Sequence, residues 1–317
     1  MRDHRLGIDI GTARIRIAAR KPSVGRVEIA AVAVRDLPTG VTTSGSINEP
    51  ELVAALIDEM LDELGVRGGR AVCAVGAPAA TLRTATLPRM TSLERSRAAR
   101  LDLNRRLGQP SEGIVIRVHQ IEPSSDKYVV GAVSKKVLDS RTTALRKAGL
   151  RVCGVDHEGR ALTRSFPKSD AVLDVGYERT SLHVPSAGSC TTWWCAVGGE
   201  TITEGIARDL GIDGTAAEAR KRALGTAGAG ETASAELVRE VSELISSARK
   251  SSTIRRVTVV GNGSRIPGLR GAIESANGVM GEDAPPDGIG LETYPADIAR
   301  AASADWALAL GLATWFA

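Results

Sequence analysis

Gly7-Ile8-Asp9-Ile10-Gly11-Thr12 and, half a chain later, Leu173-Asp174-Val175-Gly176 are two copies of one signature, an apolar strand that ends in Asp-x-Gly. Each copy runs on into a second apolar stretch, 15–18 in the first and 180–184 in the second, so each reads as a hairpin. Glycine lets the turn approach a ligand closely, and amides converging from such a turn suit phosphate oxygens. The aspartate would repel phosphate directly, but it suits a hydrated Mg²⁺, a hard cation that favours carboxylate and water. A lone Asp-x-Gly ends many ordinary strands. Two copies, with Val259-Val260-Gly261-Asn262-Gly263-Ser264 following a third apolar strand, point instead to a nucleotide held between two related lobes. The half-chain spacing argues against a solenoid, whose period is about 20 to 50 residues.

The stretches between the copies divide into short elements. Arg5–Ile10 is the first strand and 27–34 the third. Asn48 is expected to cap a helix, with Glu51 three residues on and Leu52, Leu56, Ile57, Met60, Leu61 and Leu64 at helical spacing before Gly65 closes it. Arg70–Val75, 81–87, 113–121 and 128–133 read as strands, with basic helical segments at Ser92–Leu107 and 136–148 between them. Alternating short strands and helices suggest an α/β insertion at about 48–150. Pro167 marks the passage from a first lobe, 1–165, to a second, 166–317. In the second lobe Leu237, Val241, Leu244, Ile245 and Ala248 define a long helix, Arg256–Val260 a buried strand, and Pro267 the opening of another helix.

Composition excludes several classes. With 317 residues, 43% hydrophobic and 25% charged, the chain is globular rather than disordered or fibrous. Aromatic content of 3% disfavours base stacking, and a net charge of +4, from 41 basic and 37 acidic residues, is far from a polyanion binder, so no nucleic-acid partner is expected. The polar opening and Asp9 speak against a signal peptide or a membrane-spanning start, and no window reaches about 20 apolar residues. A cytoplasmic protein is expected, reaching the inner face of the membrane through a partner. Cys73, Cys153, Cys190 and Cys195 show neither CxxC pairing nor a neighbouring histidine pattern; three of them sit in Val/Ala/Gly-rich surroundings, which fits reduced thiols acting as small hydrophobes in a reducing cytosol. Trp193-Trp194 lies on an expected strand, so the two rings face opposite ways.

The order of these motifs resembles the actin-like ATPases, most closely the PilM family of type IV pilus assembly and next the FtsA family of cell division. The likeness covers nearly the whole chain. It includes 82–90, Val155-Asp156-His157-Glu158, Val197-Gly198-Gly199-Glu200-Thr201, Ala217-Glu218-Ala219-Arg220-Lys221 and Trp306-Ala307-Leu308-Ala309-Leu310-Gly311-Leu312. The resemblance implies an α/β, ribonuclease H-like two-lobed fold with a small α/β insertion in the first lobe and a final helix returning to that lobe. It implies ATP and Mg²⁺ as cofactors. Asp9, Gly11, Thr12 and Arg16 would form the first phosphate loop, and Asp174, Gly176 and Thr180 the second, with Asp9 and Asp174 at the metal. Gly198, Gly199, Glu218, Lys221, Gly261, Gly263 and Ser264 would surround sugar and adenine. Glu158 and Asp174 are the candidates for orienting water, since phosphoryl transfer is mostly positioning and charge stabilisation. Glu158 reads equally as the first turn of a helix stabilised by its dipole.

Departures from the family pattern carry information too. Arg16 stands where lysine is common, and Glu178 and Arg179 stand where small hydroxyl residues are usual, which favours binding, with at most weak ATPase activity, over efficient hydrolysis. Between Arg83 and Arg106 seven arginines face Glu94 and Asp102, a solvated helix face or a docking surface for an acidic partner or lipid headgroups. The implied partner is the short cytosolic N-terminal peptide of an inner-membrane pilus assembly protein, with self-association also open. Leu101-Asp102-Leu103-Asn104 replaces the family's Trp/Glu-rich helix, so peptide specificity does not carry over. Two alternatives remain: an FtsA-like division protein, expected to carry a linker and an amphipathic helix beyond the Thr314-Trp315-Phe316-Ala317 close seen here, and a small-molecule kinase of the same fold.

Overall fold

Leu6, Ile8 and Ile10 are each at most 2% exposed, and with them strand β1 (Arg5–Ile10) lies at the centre of a sheet before turning into β2 (Arg14–Arg20). The structure is a computed structural model that describes residues 4–20, 27–107, 111–122, 125–186, 188–281 and 303–316. The first lobe continues with β3 (Ile29–Asp36), a small hairpin of β4 (Thr42–Thr43) and β5 (Ser46–Ile47), α1 (Pro50–Glu63), β6 (Arg70–Val75) and β7 (Ala80–Thr86). Then come α2 (Ser92–Leu107), β8 (Ile114–Gln120), β9 (Lys127–Ser134), α3 (Lys135–Lys147), β10 (Arg151–His157) and α4 (Glu158–Ser165). The second lobe holds β11 (Ala171–Val175), β12 (Thr180–Ser186), β13 (Ser189–Cys195), α5 (Gly199–Leu210), α6 (Gly214–Leu224), α7 (Glu231–Arg249), β14 (Arg256–Val260), α8 (Leu269–Asn277) and β15 (Met280–Gly281). A last helix, α9 (Ala307–Ala313), follows.

The two large sheets have one topology. In the first the order is β10-β6-β1-β2-β3 and in the second β13-β12-β11-β14-β15. Each begins with three antiparallel strands, after which the first strand pairs in parallel with a later one that is reached through helices. The register puts Asp9 opposite Arg16 and Asp174 opposite Ser181, so the aspartates occupy equivalent positions.

The lobes are joined by α4 and α9. Leu162 and Phe166 pack with Val72 of the first sheet, Val172 and Val260 of the second, and Leu308 and Leu312 of α9. At Gly7 a Cβ would lie 2.1 Å from the Ala309 carbonyl oxygen, so glycine lets the backbone of α9 rest directly on β1. The final helix thus returns to the first lobe.

Of the stretch 48–150 expected as an insertion, only β7, α2, β8 and β9 stand apart, as a three-stranded sheet of order β7-β9-β8 with α2 on one face. β6 is instead a central strand of the first sheet, and Val53, Ile57, Met60, Ala144 and Leu145 from α1 and α3 fill the first lobe's core. The cap of α1 also differs from expectation: Glu49 precedes Pro50 with no side-chain cap, while the Asn48 amide donates to Gly40 and Thr43. Pro267 precedes its helix by two residues, with Gly268 at φ +80° starting α8 at Leu269. The cysteines form no disulfide; Cys73 and Cys190 are buried, Cys195 is half-buried and Cys153 is exposed. Trp193 packs on the second core and Trp194 is 42% exposed, as facing opposite ways requires.

Candidate functional site

Gly11 donates its amide to the Arg14 carbonyl at 2.9 Å, and Gly176 donates to the Arg179 carbonyl at the same distance. A Cβ at either glycine would crowd that carbonyl, at 3.2 and 2.9 Å, so both hairpins are closed as tightly as glycine allows. They face one another across the cleft between the lobes. Its walls are Asp9, Gly11, Thr12, Ala13 and Arg14 on one side and Asp174, Gly176, Tyr177, Glu178 and Arg179 on the other. Glu158, Gly261, Asn262 and Asp305 complete it. An adjoining pocket, which shares Ala13, Arg14, Gly176, Tyr177 and Asn262 with the cleft, extends it past Gly199, Glu218, Lys221, Gly263 and Arg265. Gly261, at φ +80°, allows the turn after β14 to close over Asp174, where a Cβ would sit 2.2 Å from Oδ1.

The floor is electrostatically strained. Burial pushes the Asp174 carboxyl up to about 7, and the nearby Glu158 charge adds to the shift against an opposing effect of Arg179. Burial likewise pushes Asp9 up to about 6, with Arg16 opposing and Glu158 adding. Two recessed carboxyls that resist ionisation together are groups that a bound cation would stabilise. Among the described residues no three metal-ligating side chains cluster closely enough to hold an ion alone. That donor set fits Mg²⁺, which is usually held by one or two carboxylates and completed by phosphate and water.

The cations around the floor are engaged with protein. The Arg179 guanidinium donates to both oxygens of Glu158, at 2.8 and 2.7 Å. Burial alone would raise Glu158, but the charge and hydrogen bonds of Arg179 bring its carboxyl below the ordinary range. Arg16, 4% exposed, donates to Asn262 at 2.6 Å and to Asp305 at 3.0 Å, stands 3.9 Å from Asp9 and lies over the Trp306 ring. It ties β2 to the segments before α8 and α9. Lys221 is buried and donates to the Gly199 carbonyl and Thr203, each at 2.7 Å, while pairing with Glu218 at 2.6 Å.

The model of the type IV pilus assembly protein PilM matches residues 7–314. The chain belongs to the PilM family. A solved PilM–PilN type IV pilus biogenesis complex aligns with 26% identity over 99% of this chain and 98% of that chain, at a TM-score of 0.86. The ethanolamine utilization protein EutJ from Carboxydothermus hydrogenoformans, 16% identical over 98% of this chain and 89% of its own, aligns at 0.64. The MamK double helical filament, 14% identical over 90% of this chain and 96% of that one, aligns at 0.52. These last two show the fold alone, which is actin-like.

In this PilM-family chain most of the expected site residues meet in the one cleft, but three do not line it. The Thr180 hydroxyl is fully buried and donates to the Val197 carbonyl at 2.7 Å, because its position on β12 points into the second lobe; Ser181, one residue on, reaches the cleft instead. The Ser264 hydroxyl donates back to the Gly261 carbonyl at 2.7 Å. Gly198 provides a close approach, since a Cβ there would lie 2.4 Å from the Tyr177 carbonyl oxygen. That approach lets Gly199 and Glu200, at the start of α5, donate their amides to the carbonyls of Gly176 and Tyr177.

Sequence reasoning missed Arg14, Tyr177, Ser181, Asn262 and Asp305 on the walls, and Arg141 beneath them. Arg141 is 4% exposed and donates to the carbonyls of Ile10 and Gly45, at 3.0 and 2.9 Å, fixing the end of β1. Asn262 sat inside the Gly-x-Gly-Ser motif and was the one of these with a local signal.

A second cavity lies between the three-stranded sheet and the outer edge of the first lobe. Leu82, Val115, Val129, Val133, Val155 and Trp315 make it largely apolar, and Arg117, His119 and Arg160 give it basic points. Trp315 stands over Gly154, where a Cβ would be 3.1 Å from the ring. Asp156 and His157 line this groove and the next residue, Glu158, lines the cleft. The turn from β10 into α4 therefore touches both cavities.

Proposed function

We propose that this chain is a nucleotide-gated scaffold of type IV pilus assembly, which holds ATP with Mg²⁺ in the inter-lobe cleft and takes an extended N-terminal segment of an inner-membrane partner in the adjoining groove. The observation that carries the nucleotide half is the pair of equivalent aspartates, Asp9 and Asp174, recessed on one cleft floor and pushed to about 6 and about 7. Mg²⁺ bound there would neutralise phosphate charge. The chain's own residues do the rest: the two hairpins present amides from opposite lobes, and Glu218, Lys221 and Gly263 line the outer pocket where base and sugar fit. Glu158 is the candidate for orienting water, but Arg179 holds both of its oxygens. Occupancy of the cleft, rather than rapid turnover, is therefore the signal.

The partner half rests on family membership, on the likeness to a PilM–PilN complex, and on an apolar groove beside β10, an edge strand of the first sheet. An extended peptide suits such an edge, with backbone bonds for affinity and alternate side chains for specificity. The turn shared by groove and cleft couples the two sites. No helix among the described residues is long and apolar enough to cross a membrane, which leaves the partner to supply the span.

Affinity capture from membranes of the native cell, with and without ATP, tests this. A single-span protein with a short cytosolic N-terminus is expected to be retained by the wild type and lost with groove-filling Gly131→Trp. Equal retention by both proteins would refute the groove.

A further inference from the structure

The outer face of α2 takes no part in cleft or groove. Its inner face is conventional: Ala99 and Leu103 pack on Ile116, Val130 and Ala132 of the three-stranded sheet. On the outer side Leu93 and Leu101 are 61% and 65% exposed, and Arg97 and Arg105 follow each of them by four residues, so leucine and arginine alternate along one face. From Arg89 to Arg106 six arginines meet only Glu94 and Asp102, an excess equal to the +4 of the whole chain. Both acids are engaged first by other groups, though the charge of Arg105 also acts on Asp102. Glu94 accepts from the Thr91 amide and hydroxyl at 2.7 and 2.8 Å, capping its own helix, and Asp102 pairs with Arg83 and, at 3.0 Å, with Arg106. Arg95 lies over Tyr128 and Arg100 donates to Ser111, whereas Arg97 and Arg105 make no ion pair among the described residues.

We propose that this face of α2 docks directly on an anionic phospholipid bilayer, with Leu93 and Leu101 entering the headgroup boundary and Arg97 and Arg105 on lipid phosphates. An exposed face of two leucines and two arginines on one helix suits the boundary of an anionic bilayer, where apolar side chains enter and guanidinium groups stay at the phosphates. Interfacial helices combine large apolar side chains with basic residues in this way. The basic residues are all arginine, whose guanidinium fork matches phosphate. The alternation of β8 puts Ile116 and Val118 under α2 and Val115, Arg117 and His119 in the groove, so lipid contact leaves the groove open. The contact is independent of nucleotide and of the groove peptide.

Cosedimentation of the purified full chain with vesicles tests it, using phosphatidylcholine alone and phosphatidylcholine with one third phosphatidylglycerol. Binding is expected only to the anionic vesicles, falling as salt rises, and roughly tenfold or more weaker for Arg97→Glu/Arg105→Glu. Leu93→Ser/Leu101→Ser is expected to weaken binding at low salt as well. All four positions are exposed, so unchanged thermal melts show that the fold is intact. No pelleting above that with neutral vesicles, or pelleting indifferent to both double variants, would overturn the proposal. So would competition by polyglutamate outmatching the vesicles, which would mark an acidic protein surface instead.

Discussion

The Asp9 and Asp174 hairpins have the same length, the same glycine-closed turn and equivalent aspartates, yet their arginines do opposite things. Arg14 and Arg179 are equivalent, since each accepts the hairpin glycine's amide. Arg14 turns outward to Asp36, which is 72% exposed, at 2.6 Å. Arg179 turns inward to Glu158, which is 8% exposed, at 2.7 Å. Opposite the aspartates the asymmetry reverses: the first hairpin has the buried Arg16, tied to Asn262 and Asp305, and the second has the small Ser181. Duplicated backbone geometry thus fixes the shape of each turn, and unduplicated side chains decide what each half adds. The first hairpin is braced from the second lobe's loops, while the second holds the candidate water-orienting carboxylate in check.

Arg179→Met breaks this contrast most severely. It leaves Glu158 buried without its partner, and a loss of about 3 to 5 kcal/mol is expected in urea unfolding. Adding Glu158→Gln should recover much of it, because the pair is coupled. Recovery of nothing would mean that the two side chains act separately.

The aspartates give the next largest effects, with a definite sign. Their folded-state values are raised, so the native state binds more protons than the unfolded one between about pH 4 and 7. Stability of the ligand-free protein is therefore expected to fall as pH rises through that window. Asp174→Asn should remove the larger share, stabilising the free protein at neutral pH on the order of 4 kcal/mol, and Asp9→Asn about 3 kcal/mol. Thermal melts from pH 4 to 8 read this directly. A rise in wild-type stability across the window, with no gain from either variant, would contradict the charged floor.

Smaller effects separate the two hairpins further. Thr180→Val leaves the Val197 carbonyl without its hydroxyl donor, and a loss of about 1 kcal/mol is expected with nucleotide affinity unchanged, since Thr180 faces the core and not the cleft. Arg14→Met removes a largely solvated pair and should cost under about 1 kcal/mol. If Arg14→Met matched Arg179→Met, the two arginines would not differ in role.

Much of this arrangement was legible in the sequence because it is local. Ala171–Val175, Arg256–Val260 and Ser92–Leu107 were bounded by apolar period, glycine and charge, and the Asp-x-Gly copies marked both hairpins. What escaped was long-range. Nothing local shows that Arg16 meets Asp305, or that Arg141 reaches the carbonyl of Ile10. Alternation alone makes the insertion too wide, because the periodicity of α1 and α3 gives an apolar face without naming the sheet that covers it. The resemblance puts Thr180 near the phosphates because a motif gives order along a strand, and a shift of one residue exchanges core for cleft. Glu178 and Arg179 stand out in the sequence as departures, but only the fold brings Arg179 to Glu158.

Calorimetric titration of the purified chain with ATP asks whether both hairpins grip one Mg²⁺-bound nucleotide. One saturable site is expected, dependent on Mg²⁺ and lost with Asp9→Ala and with Asp174→Ala alike. Absence of binding in the wild type, or binding that survives both substitutions, would contradict it.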